Sequence, residues 1–180
     1  MSEIGPGERI SVWLEVEILS RLTPKQKVGR LFKWIFKIPI LYYKLGLGSL
    51  LEKRFLLLTT TGRRTGRLRS TPLEFEYNSQ EDWYRVSPGW GGNTDWYKNV
   101  LKKTLVTVQV GRRKFAALAE PVSLQEVAQT LQKISRRHPA MDKVWNRWSD
   151  IPVDGSEESY LHAARFFPSV QLRPVKDNIP

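Results

Sequence analysis

The spacing of apolar positions changes twice along the chain. Over residues 8–22 (ERISVWLEVEILSRL) apolar side chains cover a broad helical face. After Thr23-Pro24 a second helical stretch is apolar and aromatic, with Arg30, Lys33, Lys37 and Lys44 at spacings of 3, 4 and 7. Those four cations fall on one stripe; Pro39 divides the helix, and Gly46 and Gly48 end it. From residue 55 short strand patterns take over. FLLLTTT (55–61) reads as a buried strand, LRSTPLEFEY (68–77) alternates toward its end, and WYRVS (83–87) returns after the polar turn NSQED. The Gly-rich loop PGWGGN (88–93) leads into a short helix, TDWYKNVLKK, N-capped by Asn93 or Thr94. LVTVQV (105–110), a GRR turn and KFAALAEPV (114–122) make a hairpin. Ser123 and Glu126 then form a capping box for the helix LQEVAQTLQKISRR. A short helix over 140–148, the acidic loop IPVDGSEE, a helical piece YLHAARFF and a last strand, VQLRPV (170–175), complete the chain. The pattern predicts a mainly β α+β fold, a small antiparallel barrel with helices packed outside it. A helical arm over 1–54 precedes the barrel domain over 55–180, the two forming one structural domain.

Charge narrows the class of partner. Lys+Arg outnumber Asp+Glu by 29 to 18 in 180 residues, a formal net charge of +11, which favours an anionic ligand, nucleic acid or a membrane surface. No RNP-type aromatic pattern or helix-turn-helix signal supports nucleic acid. The segment 31–51 is interrupted by lysines and falls short of a spanning helix. Its basic stripe suits either an anionic membrane interface or ordinary packing with lysines in water. The expected location is cytoplasmic, peripheral at the inner face of the cell membrane, as a monomer or homodimer. Without cysteine there is no thiolate metal site or thiol nucleophile. The two histidines, His138 and His162, have no triad partner, and no GxSxG elbow occurs.

Two stretches stand out as candidate chemistry. In TTTGRRTGRLRSTPL (59–73), Gly62 and Gly66 permit a backbone that exposes successive N–H groups. Arg63, Arg64, Arg67 and Arg69 add guanidinium forks suited to phosphate or carboxylate. The bend is either an anion seat or a solvated turn. In SPGWGGNTDWYKN (87–99), glycines around Trp90 allow close approach to a flat ligand, and Trp90, Trp96 and Tyr97 offer planar faces. The same aromatic residues also suit the core face of an amphipathic helix.

Taken in order, LLTTTGRRTGRLRSTPLEF, VSPGWGGNTDWYKNVLKK and LVTVQVG, with KLGLGSLLEKRF before them and DGSEESYLHAARFFPSVQLRP after, resemble the deazaflavin-dependent nitroreductase family. These are split β-barrel oxidoreductases, of FMN-binding type in fold, that use coenzyme F-420. The resemblance runs from about Gly29 to Val175. It implies that Arg63, Arg64 and Thr65 meet the phosphate end of the cofactor. It implies further that Arg69, Ser70, Thr71, Pro72, Leu73, Glu74 and Phe75 line it. Arg85, Val86, Ser87 and Pro88, with Asp95, Trp96, Tyr97, Lys98 and Asn99, would close the other side. Ser87 is implied as the catalytic residue that orients a substrate oxygen. The chain departs from the family pattern at Pro88, where members carry a lysine. It departs again at His138, Met141, Val144 and Trp145, where they carry substrate-contacting tyrosines. With Trp90, Met141, Val144 and Trp145 at the substrate, the expected acceptor is an apolar conjugated compound such as an enone, a quinone or a nitro compound. Relatives on this barrel bind FMN, haem or fatty acids, so a non-catalytic carrier of F-420, FMN or a lipid is the alternative.

Overall fold

The structure is a computed structural model and describes Tyr43 and residues 55–88 and 91–175. The expected arm over 1–54, with its basic stripe, lies outside the described residues apart from Tyr43, as does Trp90. Tyr43 is buried, and its phenol donates to the Phe55 carbonyl at 2.6 Å.

The described residues fall into two compact units. The first contains seven strands: β1 (Phe55–Thr61), β2 (Leu68–Glu74), β3 (Glu76–Asn78), β4 (Trp83–Val86), β5 (Leu105–Val110), β6 (Arg113–Pro121) and β7 (Val170–Pro174). All pair antiparallel in the order β2-β1-β5-β6-β7-β4-β3. The two strands at the ends of that order, β2 and β3, are separated in sequence by Phe75 alone. A flat sheet cannot have its opposite edges joined by one residue, so the sheet curls round until they meet. That is the split barrel, with a strand that leaves one partner and takes up another at a bend. The continuous strand expected over 68–77 is therefore broken at Phe75.

Cross-strand pairing fixes which side chains point inward, because directly opposed residues share a face. Leu56, Leu58 and Thr60 of β1 share the inner face with Val106 and Val108 of β5, Ala117 and Ala119 of β6 and Val170 and Leu172 of β7; Tyr84 and Val86 of β4 complete it. All are buried, and all but Thr60 form one apolar cluster. Each fully buried leucine or valine in it contributes about 1.5–3 kcal/mol. Helix α1 (Asp95–Lys102) adds Trp96 and Val100 to the same cluster. Phe75 packs there too, 5.5 Å from the Tyr84 ring, so the bend is anchored from inside.

The second unit contains α2 (Leu124–Arg137), α3 (Asp142–Trp148) and α4 (Glu157–Ala164). The capping box at its start is present: Glu126 N–H donates to Ser123 Oγ at 3.2 Å, and Ser123 N–H to Glu126 Oε2 at 3.4 Å. Within this unit the Trp145 indole N–H donates to Ser135 Oγ at 2.9 Å, both residues being buried. Residues 123–166 form this compact unit. Among the described residues no helix is long and apolar enough to cross a membrane.

Candidate functional site

The site begins with a turn that only certain residues can make. Between β1 and β2 the Gly62 N–H donates to the Arg67 carbonyl at 2.8 Å, and the Gly66 N–H to the Gly62 carbonyl at 2.8 Å. Gly66 has φ +68°, the left-handed region. A Cβ on Gly62 would lie 3.1 Å from both the Arg67 carbonyl oxygen and Thr65 Oγ1, so the turn is closed too tightly for a side chain there.

Helix α1 fastens this turn to the barrel. Its buried side chains Trp96, Asn99 and Val100 lie on one face. Asn99 is 3% exposed and fully engaged. Its Nδ2 donates to Thr60 Oγ1 at 3.2 Å, while its Oδ1 accepts from the Arg63 backbone N–H and from Arg63 Nη1, both at 3.1 Å. Arg63 Nη1 also reaches Asp95 Oδ1 at 2.9 Å. One buried amide therefore ties strand, turn and helix together.

Between them lies a cleft of about 520 Å³ lined by Gly62, Arg63, Arg64, Thr65, Arg69, Ser70, Thr71, Asp95, Trp96 and Asn99. That volume is in the ordinary range for small-molecule sites. Arg69 faces Thr60 across the β1–β2 pair and Thr71 faces Leu58, so both lie on the inner side of the sheet. Ser70 faces Thr59, and their hydroxyls are 2.9 Å apart. A second groove of about 410 Å³ adjoins the first, shares Arg63 and Arg64, and adds Lys98, Leu101 and Lys102. Arg67 lines neither.

Of the residues expected to bind cofactor, nine come together in the cleft and Lys98 lies in the groove beside it. The others lie outside that lining. Pro72, Leu73 and Glu74 continue along β2, and Leu73 and Phe75 pack on the core. Val86 and Pro88 are buried, and the Arg85 guanidinium lies 4.7 Å from the Trp83 ring centroid. Tyr97 stands edge-on to Trp96 at 5.9 Å. Ser87 is exposed, and its hydroxyl is 2.7 Å from that of buried Ser169. Met141, Val144 and Trp145 belong to the helical unit, where Val144 and Trp145 are buried. Sequence reasoning missed Thr60, Leu101 and Lys102. It singles out Gly62 for conformational freedom, whereas the structure also requires the absence of a Cβ there.

The lining is rich in donors: guanidinium groups of Arg64 and Arg69 and hydroxyls of Thr65, Ser70 and Thr71. Such a set fits phosphate and carboxylate oxygens. Among the described residues no group of three or more His, Cys, Asp or Glu is placed to hold a metal ion.

Residues 42–157 match the sequence pattern of the F-420H(2)-dependent quinone reductases. The chain belongs to that family. It is therefore an oxidoreductase that depends on the deazaflavin F-420 and acts on a small-molecule acceptor. The resemblance read from the sequence holds in cofactor and class of chemistry, and the family's name specifies quinones where that resemblance specified nitro compounds. The donor-lined cleft suits the anionic end of such a cofactor.

Three solved structures show remote likeness to this F-420H(2)-dependent reductase. One is an F-420-H2-dependent reductase, 21% identical, covering 67% of this chain and 95% of that chain with a TM-score of 0.47. Another is a protein from Agrobacterium tumefaciens, 14% identical over 77% of this chain and 55% of that chain, TM-score 0.47. The third is an F-420 reductase, 16% identical over 71% of this chain and 91% of that chain, TM-score 0.41.

Proposed function

We propose that this reductase transfers hydride from reduced F-420 to an apolar conjugated acceptor, an enone, a quinone-like compound or a nitro compound. The observation that supports the reading is the donor set of Arg64, Thr65, Arg69, Ser70 and Thr71 beside Trp96, in a chain of an F-420-dependent family. When bound, the reduced cofactor supplies a hydride, that is, a proton with both electrons. The chain's part is to bind, orient and shield. Arg64 and Arg69 offer guanidinium forks to phosphate and carboxylates, and the three hydroxyls complete their coordination. Asn99 holds the turn in the shape that aims those groups. The strand residues Pro72 to Phe75 and the loop residues Arg85 to Pro88 extend the walls toward the reacting end. Ser87, with its hydroxyl steadied by Ser169 at 2.7 Å, orients the acceptor oxygen. The proton that completes reduction comes from water, since Asp95, the acid of the described lining, stands beside Arg63 at the seat of the cofactor's anionic end and not at the reacting end.

The test follows the absorbance of the cofactor as reduced F-420 is mixed with a panel of enones, quinones and nitro compounds, with and without protein. Protein-dependent oxidation by the apolar members is the expected result. Tight binding that protects reduced F-420 from every acceptor would replace this reading with that of a carrier.

A further inference from the structure

A carboxylate occupies the place in the cleft where an incoming anion would meet its first cation. Arg63 Nη1 is shared between Asn99 Oδ1 at 3.1 Å and Asp95 Oδ1 at 2.9 Å. The two partners differ in kind. Asn99 is buried and itself held by Thr60, so its bond to Arg63 is part of the frame. The Asp95 side chain is 86% exposed and the Arg63 side chain 25% exposed, so theirs is a solvent-facing ion pair. Pairs of that kind are weak and exchange easily.

We propose that Asp95 is an internal counter-anion of the cleft, which a ligand's phosphate or carboxylate must displace from Arg63. The inference rests on reading the cleft as the seat of the cofactor's anionic end. Asp95 also stands at the first position of α1, where a negative charge interacts favourably with the helix dipole. That role accounts for the residue's tolerance at this position but not for its placement on Arg63. Displacement lowers the affinity of every anion by a similar factor. Beyond Arg63 itself, a ligand with one phosphate gains only Arg64 and Arg69 in return. A ligand with several carboxylates can also reach Lys98 and Lys102 in the adjoining groove, which shares Arg63 and Arg64 with the cleft. The counter-anion thus sets a threshold of ligand charge below which the cleft stays unfilled at modest concentrations.

The experiment titrates inorganic phosphate, pyrophosphate and F-420 into the full chain by calorimetry, for the wild type, Asp95→Asn, Asp95→Ser and Arg64→Ala. Both Asp95 variants should bind each anion roughly two- to five-fold more tightly, the gain shrinking as salt rises, as loss of an exposed ion pair predicts. A purely helix-stabilising Asp95 would change the melting temperature and leave these affinities alone. Unchanged or weaker binding in both Asp95 variants, with Arg64→Ala still weakening it, would overturn the proposal and leave the cleft standing. If Arg64→Ala also has no effect, the anion-binding cleft itself is refuted, and the counter-anion with it.

Discussion

Replacing Asn99 by alanine should do more damage than replacing any arginine of the bend. Its side chain makes three hydrogen bonds, to Thr60 Oγ1 and from the backbone N–H and Nη1 of Arg63. An ordinary hydrogen bond contributes about 0.5–1.5 kcal/mol net, but stranding a buried partner costs about 1–3 kcal/mol. Thr60 is 1% exposed, so its hydroxyl has no water to turn to once Asn99 is gone. The Arg63 N–H is only partly buried and recovers some solvation. Arg63 Nη1 keeps Asp95. The expected loss is therefore about 3 kcal/mol, dominated by the Thr60 hydroxyl and the cavity. For a chain of this length that corresponds to a fall in Tm of roughly 6–12 °C. The assay is thermal and urea unfolding of wild type, Asn99→Ala, Thr60→Val and the double variant. Thr60→Val removes the hydroxyl that Asn99→Ala would strand, so the two costs should fall short of additive by about 1 kcal/mol. A cost for Asn99→Ala under about 0.5 kcal/mol, or strict additivity in the cycle, would refute the tie between strand, turn and helix.

Two further predictions concern charge. Arg64→Ala and Arg69→Ala should each weaken F-420 binding about ten-fold, as loss of a charge-assisted hydrogen bond requires, and F-420 should bind more tightly than FMN in a fluorescence titration; equal affinities would remove the case for a polyanion seat. Asp154, before α4, has its pKa lowered from 3.8 to about 2, chiefly by hydrogen bonding from the Ser156 side chain. Its folded value is depressed, so the stabilisation is present above about 3.8 and is lost as pH falls toward about 2. In Ser156→Ala the Asp154 carboxyl, followed by NMR, should titrate closer to 3.8, and an unmoved midpoint would count against that cause.

Local signals carried far into the structure. The run FLLLTTT becomes β1 with the boundaries its composition suggests, and LQEVAQTLQKISRR becomes α2 behind its capping box. In both, the deciding interactions lie within a few residues of one another. The break at Phe75 has no such signal. The run EFEY alternates straight through it, with neither Gly nor Pro to mark a bend. The strand parts there because β1 and β4, its two partners, lie next to opposite ends of the sheet order. The grouping of residues 123–166 into one compact unit has no local signal for a related reason. Apolar faces such as Val127, Ala128 and Leu131 on α2 announce burial but not the surface that buries them.

The bend shows the same limit at the scale of single side chains. Four arginines within seven residues look interchangeable in the sequence, and all four invite the same reading as anion binders. Different partners divide them. Arg63 is held by Asp95 and Asn99, 32 and 36 residues away, and so belongs as much to the frame as to the ligand. Arg69 is directed by its pairing with Thr60, whose inward side chain sets the face that Arg69 shares. Arg67 contributes its carbonyl to the turn, accepting from Gly62, and lines neither the cleft nor the groove beside it. Arg64 alone among them has a side chain that is exposed, lines both clefts, and has no hydrogen bond to the frame among the described residues. A count of positive charge thus overstates the anion seat, because one cation is already answered by a carboxylate and one faces elsewhere. The ligand's affinity should follow Arg64 and Arg69, while the turn's stability follows Arg63 and Asn99.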